Sequence, residues 1–210
     1  MFKKLIDTAQ NFFFYRCLEH YLEDCENVLD VGCGYNSSIG HIKKTFTSEG
    51  IDIFKKTLEL SKKRKLHDRY TLGDIRKLTS IYKKRSFDAV VSIDVIEHFD
   101  KEDAKKIIKA MEGIARKKVI LLTPNGFYEQ DAFDGNPYQH HKSGWEYDDL
   151  HTLGYRVYGL RGLRNLRTDH AGIRFKPYIF WGFISVLSEL ILYPFPKVSF
   201  DLFAVKDVGV

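Results

Sequence analysis

The stretch Asn27-Val28-Leu29-Asp30-Val31-Gly32-Cys33-Gly34 decides the fold of this chain. Its first half is a short apolar run, interrupted only by Asp30, and two glycines follow directly. A strand in the middle of a parallel sheet has such a run because helices cover both faces of the sheet. The glycines predict a tight turn after that strand, since glycine adopts backbone conformations that other residues avoid.

Similar apolar runs alternate with helical patterns in the segments that follow this turn. Strands are predicted at residues 27–31, 50–54, 70–74, 87–94 and 118–123, and helices at 39–46, 55–65 and 103–115. Strands that alternate with helices of this length form a parallel sheet with right-handed crossovers. The sequence therefore predicts an α/β fold.

We predict a single domain over residues 1–210. The two ends of the chain nevertheless depart from this alternation of strands and helices. Residues 1–26 predict an N-terminal helical lid. Residues 124–197 predict an elaboration that begins with a loop rich in Gly, Pro, Asn and His, and long loops of this kind are commonly functional. It continues with a short helix at 146–153, a strand at 155–160, a basic stretch at 161–176 and an apolar stretch at 178–193, and a last strand follows at 198–205.

The composition is that of an ordinary globular protein. The chain has 210 residues, 44% of them hydrophobic and 29% charged, which excludes disordered and collagen-like classes. A net charge of +5 is small for a dedicated nucleic-acid binder. The cysteines Cys17, Cys25 and Cys33 are odd in number and form no C-x-x-C pair, and charged residues interrupt the first apolar positions. These features predict reduced thiols and a cytoplasmic location.

Two aspartates follow the second and third predicted strands. Asp52 lies about twenty residues after the glycine turn, where a carboxylate can accept hydrogen bonds from both hydroxyls of a ribose. Asp74 follows Gly73 and is placed to accept from the amino group of an adenine. Three consecutive strand ends match the crevice where open α/β sheets bind nucleosides. The alternative is a plain turn accompanied by surface carboxylates.

The glycine turn lacks two sequence features that bind the phosphates of nucleotides. Ser37 occupies the last position of the G-x-G-x-x-G pattern that binds dinucleotides. The turn also has no Lys-Ser or Lys-Thr pair to hold a triphosphate. A nucleoside without phosphates, such as S-adenosylmethionine, fits these residues better than a dinucleotide does.

Residues 29–34, 50–52, 73–74 and 87–98 resemble class I S-adenosylmethionine-dependent methyltransferases, in particular the broad type 11 set that includes ubiquinone-pathway enzymes. The resemblance implies a Rossmann-like three-layer sandwich, with a mostly parallel seven-stranded sheet whose last strand is antiparallel. The chain departs from many members at Asn36, where they have a third glycine. Residues 123–145 are also similar to methyltransferases associated with microbial surface-glycan pathways.

The same resemblance implies which residues contact the cofactor, S-adenosylmethionine. The two glycines of the turn would border its methionine part, Asp52 would hold the ribose, and Asp74 would lie near the adenine. The end of the fourth strand would lie beside the cofactor. The predicted cofactor-binding residues are Asp30, Gly32, Gly34, Asp52, Ile53, Asp74, Ile75, Ile93 and Asp94.

Methyl transfer to a hydroxyl group also requires a base, and histidine is the usual one near neutral pH. The candidate catalytic residues are His98, just after the fourth strand, and His140 and His141 in the long loop. Structural roles, such as hydrogen bonds to the backbone, are the alternative for all three. The pair His140 and His141 has no further metal ligand at a suitable spacing, and we predict no metal site.

The C-terminal segment combines arginines with an apolar stretch. Arg161, Arg164 and Arg167 recur every three residues before the stretch at 178–193, which contains Glu189 and is too short to span a membrane. One hypothesis is peripheral contact with the inner face of a membrane through residues 161–193. The other is packing against the sheet or a second copy, with solvated arginines.

The sequence as a whole predicts methyl transfer to a small-molecule, glycan or lipid-linked acceptor, with residues 124–197 on the acceptor side. The charge and the basic runs at 62–65 and 83–85 favour an RNA methyltransferase as one alternative, although solvated surfaces explain such runs more simply. A non-catalytic nucleoside-binding module docked on a membrane is another. An NAD-dependent oxidoreductase is the least favoured.

Overall fold

A computed structural model describes residues 2–132, 135–168 and 172–209. In that part of the chain, one sheet has helices on both of its faces. Its strands are β1 (Asn27–Val31), β2 (Thr47–Asp52), β3 (Arg69–Leu72), β4 (Phe87–Ile93), β5 (Ala115–Pro124), β6 (Arg156–Leu163) and β7 (Ser199–Asp207). The helices are α1 (Phe2–Leu22), α2 (Lys55–Arg64), α3 (Leu78–Ile81), α4 (Lys101–Ile114), α5 (Tyr147–Thr152) and α6 (Tyr178–Leu192).

The seven strands are arranged in the order β3-β2-β1-β4-β5-β7-β6. Strand β7 is antiparallel to both of its neighbours, and the other pairings are parallel. The predicted Rossmann-like sheet with an antiparallel last strand is therefore confirmed. Val31 pairs with Ile51, and Asp52 pairs with Leu72, so the chain leaves β1, β2 and β3 side by side at one edge of the sheet.

Each face of the sheet is covered by its own apolar core. On one face, Leu29 and Val90 pack with the apolar side of α4, which includes Ile107 and Met111. This core also extends to α3 and to Leu150 of α5. The central strands are buried on both faces, and this explains why their sequences are continuous apolar runs instead of alternating patterns.

The opposite face is covered by α1 together with α6. Phe14, Leu18 and Leu22 of α1 are fully buried against the sheet, with Phe203 of β7 in the same core. The segment predicted as an N-terminal lid is therefore a helix of the outer layer. None of its described side chains lines the cavity at the end of the strands.

The helix predicted at residues 39–46 is wrong. The structure has a single 3-10 turn at Ser38–His41, for which the Ser37 hydroxyl accepts the Ile39 amide. After that turn, tertiary contacts replace helical hydrogen bonds, because the Lys43 amide donates to Glu19 of α1 at 2.8 Å. The other predicted boundaries differ from the structure by a few residues; α1, for example, ends at Leu22 instead of residue 26, and β2 begins at Thr47 instead of residue 50.

The long loop after β5 is fastened at its base. Asn125 is 2% exposed, and its side-chain amide donates to the carbonyl oxygens of Pro196, Lys197 and Ser199. The Gly126 amide donates to the carbonyl of Trp145 at 2.7 Å and so joins the two ends of the loop. These contacts hold the loop at the edge of the sheet where the parallel strands end.

The burial pattern predicts that leucines of the same size contribute very differently to stability. Leu121 in β5 is fully buried, whereas Leu190 of α6 is 68% exposed. We expect Leu121→Ala to lower the free energy of unfolding by about 2–5 kcal/mol because it leaves a cavity in the core. Leu190→Ala should change it by no more than about 0.5 kcal/mol. Urea denaturation followed by circular dichroism measures both, and equal losses would contradict the assigned burial.

Candidate active site

A cavity of about 270 Å³ opens at the edge where the parallel strands end. Its floor is formed by the residues that follow β1, β2, β3 and β4. The 3-10 turn Pro137–Gln139 of the long loop contributes the opposite wall. Three aspartates from three different strand ends, Asp52, Asp74 and Asp94, line this one space. The fold thus brings together groups that are distant in the sequence.

The glycine turn after β1 forms one side of the cavity. Gly32 and Gly34 have φ angles of +76° and +57°, in the left-handed region that favours glycine. A Cβ atom on Gly32 would lie 2.6 Å from a methyl carbon of Val95, whereas a Cβ on Gly34 would meet no atom within 4 Å. The backbone at Gly32 therefore lies too close to the end of β4 for any side chain.

Asp52 is tied to this turn. Its carboxylate accepts the Gly34 amide at 2.9 Å and the Phe54 amide at 2.8 Å. Burial raises the pKa of Asp52, and the two amide hydrogen bonds act in the opposite direction. A carboxylate has about four acceptor positions, so these two amides leave positions for the hydroxyl groups of a ligand. The residue consequently fits the ribose-binding role that the resemblance implies.

Asp74 lies across the cavity and is held by its neighbour Arg76. The Arg76 guanidinium donates to the Asp74 carboxylate through Nε at 3.0 Å and Nη2 at 2.6 Å. These hydrogen bonds lower the pKa of Asp74 and keep it ionised. An adenine amino group would have to share this carboxylate with Arg76, a residue that the sequence analysis did not single out.

Asp94 follows β4 with a φ angle of +53°. Its carboxylate lies 3.8 Å from the guanidinium of Arg161, which is also 2.7 Å from the fully buried carboxylate of Asp201. The sequence analysis missed Arg161 and Asp201 as parts of the site. Asp201 interrupts the apolar last strand, and this was the one signal that could have revealed the buried pair.

Seven of the nine predicted cofactor-binding residues line the cavity, and two do not. Asp30 is 3% exposed and lies behind the turn, where it accepts the Ser37 hydroxyl at 2.5 Å. The Asp30 carboxylate also lies 3.4 Å from Nε2 of the buried His67. Ile93 packs against the core beneath α1. The residues that line the cavity are Gly32, Gly34, Asp52, Ile53, Asp74, Ile75 and Asp94.

The three predicted catalytic histidines cluster at one end of the cavity. His98 and His140 line it, and His141 is buried behind His98, with 4.9 Å between the two ring centroids. Burial, reinforced by the neighbouring His141, lowers the pKa of His98 to about 4. His98 is therefore neutral at pH 7 and a weak proton acceptor. Burial also lowers the pKa of His141.

No sequence pattern predicted that several residues of the long loop line the cavity. Tyr138 is 48% exposed, and its ring centroid lies 6.5 Å from that of Phe54, which follows β2. Its position depends on the 3-10 turn, which Asn136 caps by accepting the Tyr138 amide. No periodic pattern marks such a turn. The loop residues that line the cavity are Asn136, Pro137, Tyr138, Gln139, His140 and Lys142.

Residues 29–123 match the sequence profile of a family described as a methyltransferase domain. The matched segment contains the glycine turn and the three strand-end aspartates Asp52, Asp74 and Asp94. The match identifies residues 29–123 as a methyltransferase domain and supports a class I S-adenosylmethionine-dependent methyltransferase. It likewise supports an enzyme that uses S-adenosylmethionine as its cofactor.

Solved structures share the fold of this methyltransferase at low sequence identity. A SAM-dependent methyltransferase from Archaeoglobus fulgidus is 19% identical, with a TM-score of 0.60 over 94% of each chain. The methyltransferase domain of bacterial CtHen1-C is 18% identical, with a TM-score of 0.58 over 98% of this chain and all of that one. Magnesium protoporphyrin IX methyltransferase from Synechocystis PCC 6803, solved with bound SAM, is 16% identical, with a TM-score of 0.54 over 98% of this chain and 84% of that one. No curated protein matches the sequence.

The two glycines of the turn predict different responses to the same substitution. Gly34→Ala should lower the free energy of unfolding by about 1–2 kcal/mol, because only the left-handed backbone opposes a Cβ there. Gly32→Ala should lower the free energy of unfolding by about 1–3 kcal/mol more than Gly34→Ala does, since its Cβ also overlaps Val95. Urea denaturation of both variants measures the difference. Equal destabilisation would show that the contact between the turn and Val95 is not as tight as described.

Proposed function

We propose that this methyltransferase acts on a hydroxyl group of a small-molecule, glycan or lipid-linked acceptor. The observation that carries the proposal is the convergence of the glycine turn, Asp52, Asp74 and Asp94 on one cavity whose remaining wall comes from the histidine-containing loop. S-adenosylmethionine supplies a methyl group on a positively charged sulfur, which needs no further activation. The protein therefore has to align the acceptor and remove its proton.

The residues divide between these two tasks. Asp52 has acceptor positions for the ribose, and the carboxylate of Asp74 faces the cavity for the adenine. The backbone of Gly32 and Gly34 borders the methionine part. On the other side, the acceptor enters beside Asp94 and the loop, with its oxygen about 3 Å from the methyl carbon and in line with the bond that breaks.

His140 is our proposed general base. It lines the cavity with 51% of its side chain exposed, and its Nδ1 lies 3.9 Å from the carboxylate of Asp131. An imidazole in that position can take the hydroxyl proton and pass it to water. His98 is less suited to this task because its lowered pKa makes it a weak base. His141 lies behind His98 and does not reach the cavity.

The placement of the cofactor is tested with Asp52→Ala and a matched control. We expect Asp52→Ala to weaken the binding of S-adenosylhomocysteine by about 1.5–3 kcal/mol, as for the loss of a hydrogen bond to a charged group. Asp207→Ala removes a carboxylate at the end of the antiparallel β7, at the opposite edge of the sheet, and should not change the affinity. Isothermal titration calorimetry measures both variants.

Unchanged affinity in Asp52→Ala, with a thermal transition like that of the wild type, would contradict this placement of the cofactor. Turnover is followed separately as formation of S-adenosylhomocysteine from S-adenosylmethionine with pools of glycan and lipid-linked acceptors. Binding without turnover in any pool would favour the non-catalytic module. Activity on RNA alone would favour the RNA methyltransferase.

Helix α6 supports the lipid-linked class of acceptor. Its outer side is a continuous apolar surface that includes Ile179 (65% exposed), Phe183 (60%) and Ile191 (67%). Arg174 and Lys176 are exposed just before the helix begins. An exposed apolar helix face with nearby cations is typical of segments that lie on an anionic bilayer surface. No helix in the described part of the chain is long and apolar enough to cross a membrane.

The membrane hypothesis also included three arginines before this helix. Arg161, Arg164 and Arg167 do not form a solvated strip. Arg161 is paired with Asp201, and Arg167 is 4% exposed beneath α6. The guanidinium of Arg164 lies over the ring of Tyr128. The proposed membrane contact therefore depends on the apolar surface of α6 and on the two cations that precede it. Glu189, on the buried side of α6, accepts the Arg161 backbone amide at 3.0 Å and connects the helix to β6.

The membrane contact is tested by liposome flotation. The wild type should float with vesicles that contain phosphatidylglycerol and not with pure phosphatidylcholine. Phe183→Glu should weaken the binding about tenfold or more, because burial of one aromatic side chain contributes about 1.5–3 kcal/mol. Ile81→Glu, at an exposed apolar position of α3 on the other face of the sheet, should leave it unchanged. A stable dimer that Phe183→Glu dissociates, without flotation, would assign the surface to a second copy.

A further inference from the structure

Three metal-ligating side chains meet beside the cavity. Glu97 and His98 belong to the 3-10 turn Ile96–His98 after β4, and His141 comes from the long loop. One potential ligand atom from each residue lies within 4.8 Å of those of the other two. No other group of three His, Cys, Asp or Glu ligands is this close in the described part of the chain. Spacing along the sequence could not reveal the group, because its members are far apart in the chain. His140, which directly precedes His141, comes 42 positions after His98.

Backbone hydrogen bonds fix the relative position of the turn and the loop. The amides of Lys142 and Ser143 both donate to the carbonyl oxygen of Glu97, at 2.8 and 3.1 Å. The His141 amide also donates to the carbonyl of Gln130, at 3.1 Å. The imidazole of His141 is therefore held beside Glu97 and His98 by the main chain.

His98 and His141 are oriented in the way that is usual for histidines that bind metals. His141 Nδ1 lies 2.8 Å from the carbonyl oxygen of Tyr128, so the tautomer with hydrogen on Nδ1 leaves a lone pair on Nε2. His98 Nδ1 lies 3.3 Å from the carbonyl oxygen of His140 and favours the same tautomer. Histidines that bind metals commonly donate their other ring N–H to a backbone carbonyl in this way.

Glu97 supplies the carboxylate of the group. It is 2% exposed, and its Oε2 accepts the Thr123 hydroxyl at 3.0 Å. Its Oε1 atom is buried and has no hydrogen-bond partner. Buried polar atoms are normally paired, and an unpaired carboxylate oxygen next to two imidazoles is the arrangement that a cation would complete.

We propose that Glu97, His98 and His141 bind one divalent cation of the zinc type. Two imidazoles and one carboxylate favour Zn²⁺ over Mg²⁺ or Ca²⁺, which prefer oxygen ligands. Ligand atoms of a tetrahedral zinc site lie about 3.4 Å apart, so the side chains would close by up to about 1.4 Å on binding. Three protein ligands leave the fourth position open, and His98 places that position next to the cavity.

The cation would act on the acceptor, and this part of the inference rests on the proposed function. An acceptor hydroxyl bound at the open position loses its proton more readily, because the cation stabilises the negative oxygen. The proton passes to His140 and then to water. The oxygen forms the new bond to the methyl carbon as the bond from that carbon to sulfur breaks, and the sulfur keeps the electron pair. The oxidation state of the cation does not change.

The experiment uses the full chain without an affinity tag, freed of metal by dialysis against a chelator. Titration with Zn²⁺ should show one site per chain by calorimetry, and gel filtration followed by mass spectrometry of the metal should recover one equivalent. His141→Gln and Glu97→Gln should each weaken this site by about 100-fold. The control His151→Gln removes an exposed histidine of α5 and should bind as the wild type does.

Zinc below one tenth of an equivalent in the wild type, or equal binding in His141→Gln and the wild type, would overturn the metal site. Cobalt provides a readout on the wild type alone, because Co²⁺ bound to two imidazoles and a carboxylate gives visible absorption bands. Their absence would overturn the proposal even where a variant fails to fold. S-adenosylhomocysteine binding is measured on the same samples. Retained binding without a zinc site would reject this inference and leave the methyltransferase function in place.

Discussion

The active site depends on the parallel register of three neighbouring strands. Because β1, β2 and β3 end at the same edge of the sheet, the Gly34 amide can donate to the Asp52 carboxylate. That hydrogen bond sets the turn after β1 against the end of β2, and close contact between Gly32 and Val95 sets it against the end of β4. A shift of one residue in this register would separate the groups that line the cavity.

The position of Asp94 at the cavity depends on charges that are buried with their partners. Arg161 in β6 pairs with Asp201 in β7 and approaches Asp94 at the end of β4, so one guanidinium joins three strands. Loss of one member of such a group leaves an uncompensated buried charge, which costs about 3–5 kcal/mol. The same guanidinium explains how Asp94, with its left-handed backbone, is held at the cavity rim. Stability and the shape of the site are therefore linked here.

The fold was largely predictable because the strands at 27–31 and 87–94 have continuous apolar runs and the glycine turn follows the first of them. The prediction of a helix at 39–46 was wrong because the backbone there donates to α1 instead of forming helical hydrogen bonds. No local sequence pattern encodes such a contact. The aspartates that follow β2 and β3 were found from their positions at strand ends. The buried role of Arg161 was missed, since its partner Asp201 lies forty residues away in another strand and the only signal was a charged residue within that apolar strand.

The predicted cofactor-binding residues and the rest of the cavity wall come from different parts of the chain. The family match at residues 29–123 ends one residue before the end of β5, and it contains every predicted cofactor-binding residue. The cavity wall formed by Pro137–Gln139, the histidines of the loop and the apolar surface of α6 all lie beyond it. Asn125 connects these later segments, because its side chain holds the loop to the residues that precede β7. Residues 124–197 can therefore vary without disturbing the sheet and the strand ends that form the cavity floor, and solved structures that are 16–19% identical share this fold.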